Sequence, residues 1–123
     1  MGKFEVKKSD AGYHFHLKAG NGEIIGSSEV YNSKDACMNG IKSVQVNGPA
    51  AATEDQTAEG AKTETNPKYV IKLDKAGKYR FNLTAKNGQI ILSSQDYKGE
   101  DSCMNGIESV RKNAADSEII FSE

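Results

Sequence analysis

The sequence predicts an α+β fold built from two tandem repeats, each with three strands followed by a helix. Residues 37–44, Cys-Met-Asn-Gly-Ile-Lys-Ser-Val, return almost unchanged at residues 103–110. From Tyr13 to Asn47 the chain aligns with Tyr79 to Asn113 at an offset of about 66, and roughly 20 of the 35 aligned positions are identical. Strand-like and helix-like apolar patterns follow one another in the same order in both copies.

Length and composition are those of a small globular protein. The 123 residues carry a formal net charge of −1, and 37% of them are hydrophobic. This length suits one compact domain, or two small halves that share a core. The charge argues against a general nucleic-acid surface, which usually has a basic stripe. Because the sequence lacks a membrane-spanning apolar run and a signal-peptide pattern, we expect a soluble cytoplasmic protein with no membrane partner.

The first two strands of each repeat are predicted to form a hairpin with one apolar face. Phe4 and Val6 alternate with charged residues, which is the period of a half-buried strand. Pairing Val6 with Phe15 and Phe4 with Leu17 puts the large apolar groups on the same face. The second repeat has the same pattern, with Tyr69, Ile71 and Leu73 facing Leu83, Phe81 and Tyr79.

Asn-Gly dipeptides at residues 21–22 and 87–88 predict the hairpin between the second and third strands of each repeat. A type I′ turn needs positive φ at both central residues, which Asn-Gly adopts readily. In that register Leu17 pairs with Gly26. Two isoleucines then fall on the face opposite the core, Ile25 and Ile91.

A helix follows the third strand of each repeat. Ser33 is a suitable N-cap for the first helix. Cys37, Ile41 and Val44 recur at i, i+4 and i+7, so they share the face that packs on the sheet. Residues 47–49, Asn-Gly-Pro, predict the end of this helix. We expect the two cysteines, which occupy equivalent positions, to be buried free thiols.

These boundaries divide the chain into a first repeat at residues 1–49, a polar linker at 50–67 and a second repeat at 68–123. The linker is rich in Ala, Thr, Glu and Gly and contains no aromatic residue. A short strand is predicted near residues 53–57 because this segment corresponds in position to the apolar strand at residues 118–122.

Together, the three-stranded meander, the Asn-Gly hairpin and the helix resemble the YegP-like family of bacterial proteins. The resemblance rests on residues 13–19, 21–25 and 39–44 and their counterparts at 79–85, 87–91 and 105–110. It implies one continuous antiparallel sheet with the helices on one face and the C-terminal strands exchanged between repeats. It also implies that single-repeat relatives assemble as dimers. The family is one of uncharacterised function, so it implies no catalytic residues.

His14 and His16 are the only histidines, and their spacing puts both on the polar face of a strand. A metal pair is geometrically possible there. No third ligand is evident, and the second repeat has Arg80 and Asn82 at these positions. We therefore expect no metal or cofactor and treat these four residues as candidates for a binding face.

Asn39 and Asn105 lie in mid-helix, where asparagine is an indifferent helix former. Their repetition suggests a shared role, either a structural hydrogen bond to a neighbouring loop or strand or an amide that faces a ligand. The glycines that follow them, Gly40 and Gly106, each cost about 1 kcal/mol relative to alanine in a helix. We expect them to allow a close approach between helix and sheet.

The sequence favours a non-enzymatic binding or interaction module over an enzyme. It contains no Ser-His-Asp arrangement and no convincing pair of acid and base. The predicted binding surface is the uncovered face of the sheet, lined by His14, His16, Arg80 and Asn82 together with Ile25 and Ile91. The partner would be an unknown small ligand or a protein, and the chain a monomer or homodimer. The alternative is a structural or stress-associated accessory protein.

Overall fold

The fold is described by a computed structural model of residues 2–57, 63–115 and 117–122. Within these residues the chain forms eight strands and two helices. In chain order they are β1 (Lys3–Ser9), β2 (Gly12–Lys18), β3 (Ile24–Ser27), α1 (Lys34–Asn47), β4 (Ala52–Asp55), β5 (Lys68–Leu73), β6 (Tyr79–Thr84), β7 (Ile90–Ser94), α2 (Glu100–Asn113) and β8 (Glu118–Ser122).

All eight strands belong to one sheet, in the order β4-β5-β6-β7-β3-β2-β1-β8. The two repeats meet at its centre, where β3 pairs with β7 through Gly26 with Ser94 and Ser27 with Ser93. We call this pairing the seam. The last strand of each repeat lies at the edge of the other repeat, since β4 pairs with β5 and β8 pairs with β1. The exchange of C-terminal strands is therefore confirmed.

The sheet is mixed rather than wholly antiparallel, because both exchanged strands run parallel to their neighbours. Parallel neighbours in one sheet need a connection of about a dozen residues, which residues 56–67 supply between β4 and β5. The length of the polar linker therefore has a structural reason. β4 overlaps the strand that the sequence predicts near residues 53–57.

The core lies between the sheet and the helices. The predicted registers are confirmed, with Val6 opposite Phe15 and Ile71 opposite Phe81. α1 packs on β2 and β7, and α2 packs on β6 and β3, so each helix contacts strands of both repeats. The inward-facing side chains of both halves form one continuous cluster with the helical residues Cys37 and Cys103. The two repeats thus share a single core.

The Asn-Gly hairpins differ from the predicted type I′ turns. Asn21 does not have positive φ, whereas Gly22 has φ of 88°. The Ala19 N–H donates to Glu23 O, which leaves a three-residue loop, and a β-bulge follows between β2 and β3. Gly22 therefore acts as the left-handed residue that ends a three-residue loop.

The bulge reverses the predicted orientation of four isoleucines. Ile25 and Ile91 lie in the core, only 5% and 6% exposed, rather than on the uncovered face. Ile24 pairs with Lys18, and Ile90 pairs with Thr84. Because an extra residue in one strand shifts its alternation, the exposed isoleucines are Ile24 and Ile90.

Leu92 breaks the symmetry of the seam. It occupies the position equivalent to Gly26 and is fully buried. A Cβ atom on Gly26 would lie 2.8 Å from Leu92 Cγ and 3.0 Å from Leu92 Cδ2. A leucine at both positions would therefore overfill the space near the pseudo-two-fold axis, and Gly26 leaves the room that Leu92 fills.

The helix termini follow the sequence prediction. The Ser33 hydroxyl accepts a hydrogen bond from the Ala36 N–H at 3.1 Å and caps α1. Gly99 precedes α2 without a side-chain cap, and Glu100 and Asp101 place negative charge in the first turn. Each helix has 14 residues. No helix in the described part of the chain is long and apolar enough to cross a bilayer.

Gly40 and Gly106 allow close packing of each helix against a tyrosine ring. A Cβ atom on Gly40 would clash with Tyr31 Oη, and one on Gly106 would clash with Tyr97 Oη. Tyr31 stacks on the core ring of Phe15 at a centroid distance of 6.4 Å. Tyr31 and Tyr97 are bridged to β2 and β6, and a Cβ on Gly106 would also lie 3.1 Å from Phe81 Cε2 of β6. The glycines therefore allow the predicted close approach between helix and sheet, with the tyrosine rings between them.

Exchanging Gly26 and Leu92 tests whether these two residues are complementary in size. Leu92→Gly should destabilise the fold by about 2–5 kcal/mol through a cavity, and Gly26→Leu by about 1–3 kcal/mol through overpacking. The double variant should recover at least about 1 kcal/mol of their summed loss, because the leucine introduced on β3 fills the space that the glycine introduced on β7 vacates. Urea unfolding of the four proteins measures this coupling, and additive losses would contradict it.

Alanine at the helix glycines tests the tyrosine contact. Gly40→Ala should lower the melting temperature although alanine is the better helix former, since the Cβ displaces a ring that packs on the core. Gly40→Leu should lower it further. The wild type is the reference, because a glycine in a helix interior ordinarily costs about 1 kcal/mol relative to alanine. A Gly40→Ala protein as stable as the wild type, or more stable, would refute the contact.

Candidate functional site

The sheet face opposite the helices carries a continuous row of side chains, one from each strand. Each member is the registered partner of the next across the sheet. Since neighbours along a strand point to opposite faces, the members lie on the face away from the core. We call this the central row, and it runs Glu54, Val70, Asn82, Ser93, Ser27, His16, Glu5, Ile120.

The two histidines come together on this face, as the sequence predicts. Their rings lie edge to face with centroids 5.1 Å apart. His16 belongs to the central row, and its Nδ1 is 2.6 Å from Ser27 Oγ. His14 lies beside the row, opposite Lys7. Burial, together with the nearby His14 and Lys7, holds the pKa of His16 below its usual value.

Glu5 is the carboxylate of this half of the face. Its Oε1 lies 2.9 Å from Lys18 Nζ and 3.8 Å from Lys7 Nζ. The interaction with the Lys18 ammonium is the main reason that the pKa of Glu5 is lowered. Glu5 is therefore ionised near neutral pH and is held beside His16, its partner across β1 and β2.

A partly open depression of about 430 Å³ lies over the seam, where the central row crosses it. Its apolar part comes from Ile24 and Ile90, which are 40% and 46% exposed. Ser27 and Ser93 supply hydroxyl groups beside them. The two repeats contribute equivalent residues, so the depression follows the pseudo-two-fold axis of the fold.

Arg80 and Asn82 lie on the same face in the second repeat. Asn82 belongs to the central row and pairs with Ser93. Arg80 lies outside the row, and its Nε donates to Asp74 Oδ2 at 3.0 Å. Two strands, β7 and β3, separate these residues from the histidines. The four predicted residues therefore share one face without converging on one point.

Glu54 ends the central row and holds the segment before β5. Its carboxylate accepts from Lys68 Nζ at 2.8 Å, from Gln56 Nε2 at 2.6 Å and from the Glu64 N–H at 2.8 Å. The Lys68 hydrogen bond is the largest of the causes that lower the pKa of Glu54 to about 2. This group fixes the linker beside the sheet.

Asn39 and Asn105 lie elsewhere, in two grooves on the helix side. The Asn39 groove is closed by the β6–β7 hairpin at Asn87, and the Asn105 groove by the β2–β3 hairpin at Asn21. Both helical amides are exposed. Among the described residues neither side chain makes a hydrogen bond, and both interpretations of these amides stay predictions.

Cys37 and Cys103 are buried free thiols, as expected. Burial raises the pKa of both, and that of Cys103 to about 11. Among the described residues, no group of three or more His, Cys, Asp or Glu side chains is arranged to hold a metal ion.

Sequence reasoning missed the centre of the site, which is Ser27, Ser93, Ile24 and Ile90. The two serines recur at equivalent positions of the repeats, and this repetition was an available signal. The isoleucines were hidden because the bulge exchanges them with their neighbours. Glu5 was predicted only as a polar position of β1.

Comparison with known proteins identifies the family. Residues 9–55 and 74–120 match the domain of unknown function DUF1508, one copy in each repeat. The chain belongs to the DUF1508 family. It is 42% identical over 120 residues to the UPF0339 protein YegP of Yersinia pestis, covering 97% of this chain and 94% of that protein. The resemblance seen in the sequence is therefore confirmed.

Other DUF1508 relatives span the whole chain. The UPF0339 protein in the ptx operon 5′ region of Stutzerimonas stutzeri is 38% identical over 97% of this chain and 95% of its own length. The solution NMR structure of E. coli YegP, a protein of unknown function, superposes with a TM-score of 0.81 at 38% identity, over 98% of this chain and 92% of that one. The DUF1508 fold is thus shared, and the family remains uncharacterised.

The Glu54 contacts predict a specific acid dependence of stability. The folded pKa, about 2, lies below the ordinary value of 4.5, so ionised Glu54 stabilises the fold above about pH 4.5. This contribution is lost as the pH falls toward 2. Glu54→Gln should therefore lower the melting temperature at neutral pH, and its difference from wild type should shrink as the pH falls.

Thermal unfolding at a series of pH values measures this difference. Glu23→Gln is the matched control, since Glu23 is an exposed hairpin carboxylate. That variant should follow the wild type at every pH. A Glu54→Gln deficit that stays constant between neutral pH and pH 2 would show that the carboxylate charge does not stabilise the linker.

Proposed function

We propose that this DUF1508 protein is a non-enzymatic binding module whose ligand lies along the exposed part of the central row, from Asn82 to Ile120, with an apolar group in the depression over the seam. The observation that carries the proposal is the row itself. It places hydrogen-bonding side chains on strands of both repeats and crosses a depression lined by Ile24 and Ile90. A polar ligand or an extended protein segment with one apolar group has the matching pattern.

The arrangement of the polar groups supports binding. Ser27 is held by His16 at 2.6 Å, and Arg80 is held by Asp74 at 3.0 Å, so the face is ordered before a ligand arrives. Ordering these side chains in advance lowers the entropy cost of association. The depression is partly open to solvent rather than enclosed, as a contact surface can be.

The ionisation of Glu5 and His16 also supports binding over acid–base catalysis. A general base works best when its pKa lies near the operating pH. The Lys18 ammonium moves the pKa of Glu5 further below neutrality, and burial lowers the pKa of His16. Both shifts move the pKa away from neutral pH, which favours hydrogen bonding over proton transfer.

Blocking the depression tests this proposal. Short peptides and polar small molecules are screened against ¹⁵N-labelled protein, and bound compounds should shift the amide signals of β3 and β7. Ser93→Trp should weaken each such compound at least about tenfold, because the indole fills the depression. Lys112→Trp is the matched control, since Lys112 is exposed on α2, on the other side of the sheet, and lines neither the depression nor the Asn39 and Asn105 grooves.

Binding in the Asn39 or Asn105 groove is the result that would contradict the proposal. Compounds that shift only helix and hairpin amides, with unchanged affinity in the Ser93→Trp protein, would place the binding site in these grooves. They would thereby reject the uncovered face.

A further inference from the structure

β8 forms one edge of the sheet and is unusually apolar for an exposed edge. Three of its five residues are Ile119, Ile120 and Phe121, and Phe121 is 47% exposed. β8 pairs with β1 on one side and has no partner on the other among the described strands. An edge of this kind presents free backbone donors and acceptors together with apolar side chains.

The opposite edge, β4, is protected. Glu54 places a buried carboxylate on that strand, only 3% exposed and bound to Lys68. Arg111 donates to Ala51 O at 2.8 Å and to Thr53 Oγ1 at 2.9 Å, so a cation from α2 covers the start of β4. Charged side chains and covered edges are among the usual means of preventing strand addition. β8 carries one charged residue, Glu118 at its start, and Lys34 of α1 places its Nζ 4.2 Å from the centroid of the Phe121 ring.

From this difference we propose that β8 pairs with β8 of a second copy of this chain, antiparallel and centred on Ile120. The two-fold axis then places Ile119 of one copy opposite Phe121 of the other, and Ile120 opposite Ile120. Cross-strand pairs of aromatic and β-branched residues are favourable. Glu118 is the only charged residue among the five residues of β8. In this register it lies opposite the uncharged Ser122 of the second copy rather than another glutamate.

The pairing fits the two faces of the sheet. Ile119 and Phe121 lie on the helix side, opposite Phe4 and Val6 of β1, so their contacts extend the core. Ile120 lies in the central row, so the rows of both copies join end to end. The closed two-fold contact uses the same strand on both copies and leaves β4 at the outer edges. This inference is independent of the proposed function.

Concentration-dependent mass tests the pairing. Sedimentation equilibrium of the full chain should show self-association from the 13.3 kDa monomer to a dimer as the concentration rises toward about 1 mM, since a small interface binds weakly. Ile120→Lys should keep the chain monomeric, because it places two cations opposite each other. Val46→Lys, an equal change at an exposed position of α1, should dimerise like the wild type.

Two further measurements keep the test decisive. If Ile120→Lys fails to fold, Phe121→Lys at the half-exposed neighbouring position replaces it. In the unmodified protein, amide hydrogen exchange of β8 should slow with concentration while that of β4 stays constant. Three results would each overturn the proposal. The protein could stay monomeric at all concentrations, or its dimer could survive both edge variants. The β8 amides could also be protected from exchange only when an unrelated peptide is added.

Discussion

The seam between β3 and β7 is the constraint on which the rest of the structure depends. It consists of two registered residue pairs, Gly26 with Ser94 and Ser27 with Ser93. Backbone hydrogen bonds contribute about 0.5–1.5 kcal/mol each, so these pairs fix the geometry of the two repeats more than they hold them together. The exchanged strands and the shared core supply the rest. Removing β4 or β8 would uncover the first strand of the other repeat.

The candidate binding face is a consequence of the same seam. Only because β3 and β7 pair in register do His16 and Asn82 enter one row, with Ser27 and Ser93 between them. The depression exists where the two repeats approach each other. Neither repeat alone contains the complete row or both isoleucines, so binding along this face would require the tandem arrangement.

The periodicity of the sequence predicts the features that depend only on residue spacing within a regular helix or strand. The register of Val6 with Phe15, the Ser33 cap and the buried stripe that includes Cys37 were all predicted correctly, because each depends on local spacing. The same reasoning placed His14 and His16 on the uncovered face.

Features that depend on an irregular residue or on long-range contact were not predictable. One extra residue in the hairpin puts Ile25 in the core and Ile24 on the surface, and alternation alone cannot locate it. The sequence shows that Leu92 stands where the first repeat has Gly26, yet only the fold reveals that these residues meet across the seam. The parallel pairing of the two edge strands likewise depends on long-range contacts, because the linker decides where the chain re-enters the sheet.

The central claim is that both repeats form one cooperative unit across the seam. Native-state amide hydrogen exchange with increasing denaturant measures this directly. The amides of Phe15 and Leu17 in the first repeat and of Phe81 and Leu83 in the second should open with the same free energy, equal to that of global unfolding. If one repeat opened at distinctly lower free energy while the other stayed protected, the seam would not unite the fold.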